Sequence, residues 1–261
     1  MRKLLKDITN TECENLFEAI MKNSERRWLS AELLANNQDY GGAIRDIITS
    51  MEEMVKSLIM LADAKGFEFR KIESMEIIIR RSHSIRHLIG LLMLILNIFI
   101  DDFRKVIENF RNKPSEFLSI VKNKPVMETI LKKYLAEKIT IFLEEFTWFS
   151  KVELIRQQST HVDLDEDIIS PISLTSDDYQ EVFSRMNNVK KLGTDFISSL
   201  TSDDKDFNEQ LADLQKQFID EDWYGKISSA IDLTKNGKRN PFGLIEKKIN
   251  NMDFDIDEIK L

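Results

Sequence analysis

Apolar residues recur at steps of three and four along most of this chain, the spacing of helices that bury one face. Leu16, Phe17, Ile20, Ser24, Trp28, Ala31, Leu34 and Ala35 form the first such stripe, ending at Asn36-Asn37. Thr11, with Glu14 three residues on, reads as its capping box. A second stripe starts near Asp39 or Tyr40, runs through Ile44, Ile47, Ile48, Met51, Met54, Val55 and Leu58, and stops at Lys65-Gly66. Gly41-Gly42 in its first turn marks either a weak spot or a close approach by another backbone. The first 65 residues thus read as a helical hairpin. A third helix is predicted from about Ile72 to Phe110, with a break near His83–His87 or Asp101, and Asn112-Lys-Pro114 stops it. After a short piece around Phe117–Val121, a fourth helix spans about Val126 to Arg156 on Ile130, Leu131, Tyr134, Leu135, Ile139, Phe142, Phe146 and Phe149.

The pattern changes at Gln157. Ser159-Thr-His-Val-Asp-Leu-Asp-Glu-Asp167 is polar and acidic, and Pro171 extends what precedes it. Asp163, Asp165 and Asp167 have the spacing that opens a calcium loop, but the glycine and closing glutamate of such a loop are missing. Helices follow from Ser176-Asp-Asp-Tyr179 to Leu192, from Ser202-Asp-Asp-Lys205 to Phe218, and around Trp223–Leu233. Thr234–Pro241 reads as a linker, and the alternating acidic and apolar tail Met252–Ile259 as a flexible end or a docking strand. The expected architecture is all-α: a bundle of four long helices over residues 1–158, an acidic loop over 159–175, and a smaller helical C-terminal extension over 176–261. Only 8 Gly and 4 Pro in 261 residues agree with helices throughout.

Charge refines this picture. The net charge is −8, and residues 161–261 hold 22 Asp and Glu against 12 Lys and Arg, so the remainder carries +2. That remainder has a basic cluster including Arg70, Lys71, Arg80, Arg81, Arg86, Arg104 and Lys105. Such a balance admits RNA contact and argues against tight nonspecific binding to duplex DNA. Cys13 is the single cysteine, so no internal disulfide forms, and a reducing cytoplasm is the expected setting. The basic N-terminus leads to Thr9-Asn-Thr-Glu12 without an apolar signal core. The longest apolar run, Leu88–Ile100, has 13 residues and reads as a buried core helix, with no membrane partner expected.

Two segments place charge inside strongly apolar helices, where an unpaired charge is costly: Ser50-Met-Glu-Glu-Met-Val-Lys56 and Ile77-Ile-Ile-Arg-Arg-Ser-His-Ser-Ile-Arg-His87. On one continuous helix Glu76, Arg80, His83 and His87, at steps of 4, 3 and 4, share a stripe. Glu52 and Lys56, four apart, share a face of the earlier helix. Packed as neighbours, the two helices would bring Glu52, Lys56, Arg80, His83 and His87 into one polar pocket. The plain alternative is a charged helix edge in water, with Glu52–Lys56 a surface pair worth about 0.3–0.5 kcal/mol. His83 and His87 stand four apart, as metal ligands can, but no third ligand is visible, and no metal or other cofactor is expected. Phosphate-binding glycine loops, Gly-x-Ser-x-Gly and His-Glu-x-x-His are absent.

Asn23-Ser-Glu-Arg-Arg-Trp-Leu-Ser-Ala-Glu-Leu-Leu-Ala35, Asp39-Tyr-Gly-Gly-Ala-Ile-Arg45 and Ser50–Lys56, in that order, resemble the first two helices of the AbiV family of abortive-infection proteins. His83-Ser-Ile-Arg86 is similar to that family's His-x-x-Lys element, and Ser159-Thr-His-Val-Asp163 with Pro171 to a later stretch. The resemblance covers roughly residues 23–87 and 148–180. It implies a HEPN-like helical bundle, a role in bacterial defence against phage, and a homodimer. Many HEPN domains are metal-independent ribonucleases that use Arg-x4-6-His, with the site shared across a dimer. Both Arg80-x6-His87 and Arg81-x5-His87 meet that spacing. Neither arginine is followed by the Asn, Asp or His usual there. The resemblance thus implies Arg80, Arg81, His83 and His87 as catalytic candidates, supported by Glu52, Lys56 and Arg86. Histidine supplies a base or acid near working pH, and arginine steadies charge building on a phosphate. Two readings stay open: an effector that arrests growth by cleaving RNA, and a non-catalytic effector or antitoxin-like regulator acting on a phage or translation-related protein.

Overall fold

The structure, a computed structural model, describes residues 3–72, 75–80, 82–113, 123–164, 168–203, 205–222, 225–226, 229 and 241–250. The predicted short piece at Phe117–Val121, nearly all of the helix predicted around Trp223–Leu233, most of the linker that follows and the Met252–Ile259 tail lie outside these residues. So does Arg81. Among the described residues eight α-helices carry the fold: α1 Asn10–Asn36, α2 Tyr40–Ala64, α3 Met75–Arg80, α4 His83–Asn112, α5 Lys124–Gln158, α6 Ser176–Leu200, α7 Lys205–Asp220 and α8 Pro241–Asn250. The described strands are a two-residue antiparallel pair in the acidic loop, Asp163–Leu164 against Ile168–Ile169. The all-α expectation holds.

The centre of the bundle is α2, which packs against α1, α4, α5 and α6. It is therefore apolar on more than one face: Ala43, Ile44, Ile47, Ile48, Met51 and Val55 are all buried. Where α1 crosses it, Ser24 Oγ donates to Ser50 O and Ser50 Oγ donates to Ser24 O, both at 2.7 Å. Short side chains let the helices come close, and each hydroxyl finds an acceptor that burial would otherwise make costly to leave out. Helix α6, which the sequence pattern assigns to the extension, packs on α2 and sends Tyr179, Val182, Met186 and Val189 into the main core. It also runs to Leu200, eight residues past the predicted end. Helix α8 rests on α4 and α5, with Phe242 5.5 Å from Phe146.

Helix boundaries differ from expectation in instructive ways. The N-cap of α1 is Thr9 with Glu12, not Thr11 with Glu14. Both pairs fit the capping-box spacing, but Glu12 also takes an ion pair from Lys3 at 2.7 Å, which favours the earlier start. The predicted third helix is two helices, one ending at Arg80 and the next starting at His83, with Ser82 outside both. Helix α4 is a core helix on one side only. Leu91 and Leu94 are buried, whereas Leu92, Leu96, Phe99 and Val106 are exposed. By length and composition His83–Glu108 also meets the requirement for crossing a membrane, with 35% of the apolar stretch buried in the protein. The α2–α3 loop is tied to the N-terminus by Arg70, which donates to Ile8 O (2.9 Å) and Asn10 Oδ1 (2.6 Å). Its backbone N–H donates to Asp63 Oδ2 at 2.8 Å.

Gly41 is a close approach, not a weak spot: a Cβ there would sit 2.5 Å from Pro171 O, in the turn after the acidic loop. Gly41→Ala should lower unfolding stability by about 1–3 kcal/mol, because backbone and not a flexible side chain must give way. That loss would show as a Tm decrease of about 2–4 °C per kcal/mol. Asp63 gives a pH-dependent prediction. Burial pushes its carboxyl from 3.8 up to about 6, and the Arg70 N–H and guanidinium offset this only in part. The folded state then holds a proton that the unfolded chain has released, so this group's contribution to stability falls as pH rises from about 4 to about 6 and stays flat above. The effect is at most about 3 kcal/mol. Urea unfolding of wild type and Asp63→Asn at pH 4.5 and 7 should show a smaller stability difference between the two pH values in the variant.

Candidate functional site

Glu52 is the middle of the site. It lies on the inner face of α2 and is 2% exposed. Its Oε2 receives His83 Nδ1 at 2.7 Å and Arg86 Nη2 at 3.0 Å, and its Oε1 receives His87 Nε2 at 2.8 Å. All three partners come from the first turns of α4, where residues 83, 86 and 87 share a face. Burial pushes the Glu52 carboxyl up, but the hydrogen bonds from His83 and His87 and the Arg86 charge outweigh it and hold the group well below the ordinary carboxylate range. Its charge is present throughout the neutral range. The stability it contributes is lost only as pH falls below the unfolded value of 4.5 towards that lower folded value.

Arg86 closes the break between α3 and α4. Its Nη1 donates to Ile78 O at 2.7 Å, one of the carbonyls left free where α3 ends. Nη2 lies 3.0 Å from Glu52 Oε2 and 2.9 Å from His83 Nδ1. Because His83 Nδ1 is also 2.7 Å from Glu52, the arrangement that satisfies the carboxylate puts the hydrogen on Nδ1 and gives Arg86 to Glu52. His83 Nε2 is then the open nitrogen, on a side chain 39% exposed. His87 is the opposite case. It is 0% exposed, bonded through Nε2, and its buried Nδ1 has no hydrogen-bond partner among the described residues. A hydrogen on Nε2 alone suits that setting, because a second N–H would be buried without an acceptor.

The sequence candidates therefore separate. Glu52, His83, Arg86 and His87 meet. Lys56 does not join them: it pairs with the neighbouring Glu53, not with Glu52. Nor does Arg80, whose Nη1 binds Glu76 Oε1 at 2.5 Å and whose Nη2 donates to Lys3 O at 3.2 Å. The stripe that joined Glu76 and Arg80 to the histidines required one continuous helix, and the division into α3 and α4 removes that phase relation.

Helix α5 adds two residues that the spacing arguments missed. Ligand-capable atoms of Glu52, His87 and Glu153 all lie within 4.8 Å of one another. Glu153 is held by Arg156 (Nε–Oε2 3.1 Å, Nη2–Oε1 2.7 Å) and by Gln157 Nε2 (3.0 Å). Burial raises the Glu153 carboxyl, but Arg156 and Gln157 outweigh this and lower it; the same hydrogen bonds raise Arg156 further. The trio has the donor set of a metal site, but Arg86 and Arg156 already neutralise its two carboxylates, and an incoming cation would have to displace them. In the sequence Glu153 and Arg156 stand three apart on a predicted helix, a spacing that helical patterning alone treats as surface. A separate open cleft of about 410 Å³ lies between the end of α1 and the starts of α2 and α6, lined by Glu32, Tyr40, Tyr179 and Phe183. It begins at Tyr40, three helical turns along α2 from Glu52, and shares no residue with the cluster.

An all-α bundle with a histidine–arginine cluster at the start of its fourth helix defines a HEPN-like protein. The sequence model of the AbiV family of HEPN proteins matches residues 12–194, and the chain belongs to that family of abortive-infection proteins. The match is wider than the motifs suggested, taking in nearly all of α1 and most of α6. No curated protein and no solved structure matches the chain.

Glu52→Ala should lower unfolding stability by about 3–5 kcal/mol, because it leaves Arg86 buried without its counter-charge. Lys56→Ala should change it by less than about 1 kcal/mol, since its partner Glu53 lies near the surface. Chemical denaturation of the two variants beside wild type checks both; equal losses would mean that Glu52 is not the buried anchor.

Proposed function

We propose that this chain is an abortive-infection effector that acts in the cytoplasm, as a homodimer, by cleaving RNA without a metal ion. One observation carries the reading: a buried carboxylate, Glu52, binds one nitrogen of His83 at 2.7 Å while that ring remains 39% exposed. A carboxylate that fixes ring orientation and leaves the second nitrogen open prepares a histidine for proton transfer. The base is then His83 and not the sealed His87. His83 Nε2 takes the proton of a ribose 2′-OH, O2′ attacks the adjacent phosphorus, and the bond from phosphorus to O5′ breaks. The proton returns to O5′, leaving a 2′,3′-cyclic phosphate and a 5′-hydroxyl. His87 and Arg86 act through Glu52 as positioning residues.

A second reading rests on the outer face of α4. Leu92, Leu96, Phe99 and Val106 recur at steps of 4, 3 and 7 and are exposed, a pattern suited to a protein partner. At about 100° per residue, nine residues separate His83 from Leu92 and His87 from Leu96, so this stripe faces away from the polar cluster. A binder that arrests growth without chemistry would use this face.

RNA from arrested cells separates the two. Expression of wild type should yield discrete fragments with cyclic-phosphate ends, and His83→Ala should reduce them at least about 100-fold while keeping the helical fold and losing no more than about 1–3 kcal/mol of stability with the hydrogen bond to Glu52. Intact RNA during growth arrest, with arrest surviving His83→Ala and lost in Leu96→Glu, would replace the nuclease with the binder.

A further inference from the structure

We propose that Arg156 on α5 is the cation that holds the RNA phosphate facing His83, with Glu153 as the residue that aims it. This rests on the reading of the protein as a ribonuclease, and it takes an arginine from a different helix in place of Arg80, the arginine of the Arg-x6-His spacing.

Proton transfer by His83 is not sufficient for the reaction: charge builds on the phosphate oxygens and needs a cation within hydrogen-bond reach. Among the described residues the cations near the cluster are few. Arg86 is 2% exposed and committed to Ile78 O and Glu52. Arg80 is committed to Glu76 and Lys3 O, and Lys56 to Glu53. Arg156 differs. Glu153 occupies the Nε–Nη2 edge of its guanidinium, and its Nη1 makes no hydrogen bond among the described residues. Its side chain is 22% exposed. A guanidinium has two edges that can each take two oxygens in parallel; here one is held by a carboxylate, and the Nη1–Nη2 edge is open to an anion.

The register of the helices places Arg156 level with His83. Lys138 binds Asp102 at 2.7 Å across the antiparallel α4–α5 pair. Nineteen residues back along α4 from Asp102 is His83, and nineteen forward along α5 from Lys138 is Gln157. Equal rise per residue therefore brings Arg156 level with His83. The proximity of the Glu153 carboxylate to Glu52 and His87, within 4.8 Å, confirms the same level from the other side. The two partly exposed groups, an oriented imidazole and an oriented guanidinium, stand at the rim of one buried network. That is the arrangement a phosphodiester needs, with its 2′-OH at one group and its non-bridging oxygens at the other.

The test uses the full chain and a single-stranded oligoribonucleotide, with an all-2′-deoxy version of the same sequence as an uncleavable probe. Arg156→Ala should weaken binding of the deoxy probe about 10-fold and reduce the salt dependence of binding by about one phosphate contact. Arg156→Lys should restore the salt slope but not the cleavage rate, because it keeps the charge and loses the fork. Glu153→Gln, which frees the guanidinium without removing it, should lower cleavage while leaving the salt slope intact. His83→Ala should bind the probe as wild type does and fail to cleave. Thermal unfolding of each variant separates these effects from loss of fold, and Arg156→Lys serves if the alanine variant does not fold. Wild type that cleaves RNA with Arg156→Lys and Glu153→Gln unchanged in rate would overturn the assignment of Arg156 alone. Wild type that neither binds nor cleaves either probe would overturn the ribonuclease reading with it.

Discussion

A single buried carboxylate sets the geometry of this protein. Glu52 lies in the most enclosed helix of the bundle, where an ionised group without partners would cost several kcal/mol. The cost is offset only if hydrogen-bonding groups and positive charge are brought to it, and the start of α4 supplies both. For His83, Arg86 and His87 to point inwards together, α4 must start as a helix separate from α3, and it does so at His83. Arg86 then connects three elements, since its guanidinium reaches Glu52 on α2 and Ile78 O at the end of α3 from its own place on α4. The same interaction pins the helix phase of α4, which fixes which of its faces meets the core and which meets solvent.

Burial divides the cluster into two kinds of group. His87 and Arg86 are sealed, and their hydrogen bonds are directed almost wholly at the network itself. His83, Glu153 and Arg156 form its edge, where each keeps one contact with the network and one side open. A buried polar network with all its main contacts made is rigid, because any rotation exposes an unpaired donor to hydrocarbon. The open groups inherit that rigidity. His83 cannot swing away from Glu52 without leaving a buried oxygen to Arg86 alone, and Arg156 cannot turn without freeing Glu153. His83 is in this way oriented by a carboxylate that is sealed from solvent.

Much of this was legible in the sequence, and the rest was not for identifiable reasons. The helices α1, α2 and α5 follow from apolar spacing within a few residues of their ends, and Gly41 announced a close backbone approach. Glu52, His83 and His87 were visible as charge inside apolar helices, a combination that burial makes expensive and therefore informative. Lys56 was misplaced because the four-residue spacing to Glu52 and the three-residue spacing to Glu53 both suit a lysine; the depth of Glu52 decided it. Arg80 was misplaced because helical phase carries no information across a chain break, and nothing in Arg80-Arg81-Ser82 marks one as strongly as a proline would. Glu153 and Arg156 look like an ordinary surface pair in one dimension. Their relation to His83 appears only when α4 and α5 are laid antiparallel, so it is a tertiary fact. Helix α6 was assigned outside the bundle because the acidic loop before it resembles a domain boundary, yet Gly193 against Met54 and Lys190 over the Trp28 ring, 4.0 Å from its centroid, show how closely it docks.

The two faces of α4 limit how recognition and chemistry can be connected here. The polar face is fixed to α2 by Glu52, and the exposed apolar stripe points the other way. A partner seated on Leu92, Leu96 and Phe99 touches none of the polar groups, so it can influence His83 only by moving α4 as a body relative to α2 and α5. Such a movement would stretch the hydrogen bonds that His83, Arg86 and His87 make to Glu52, which sit in the interior where loosening them is costly. Coupling between the faces therefore requires a partner whose differential affinity for a shifted α4 exceeds that cost. The buried anchor that orients the site is thus also the barrier that any regulator acting through the apolar face would have to overcome.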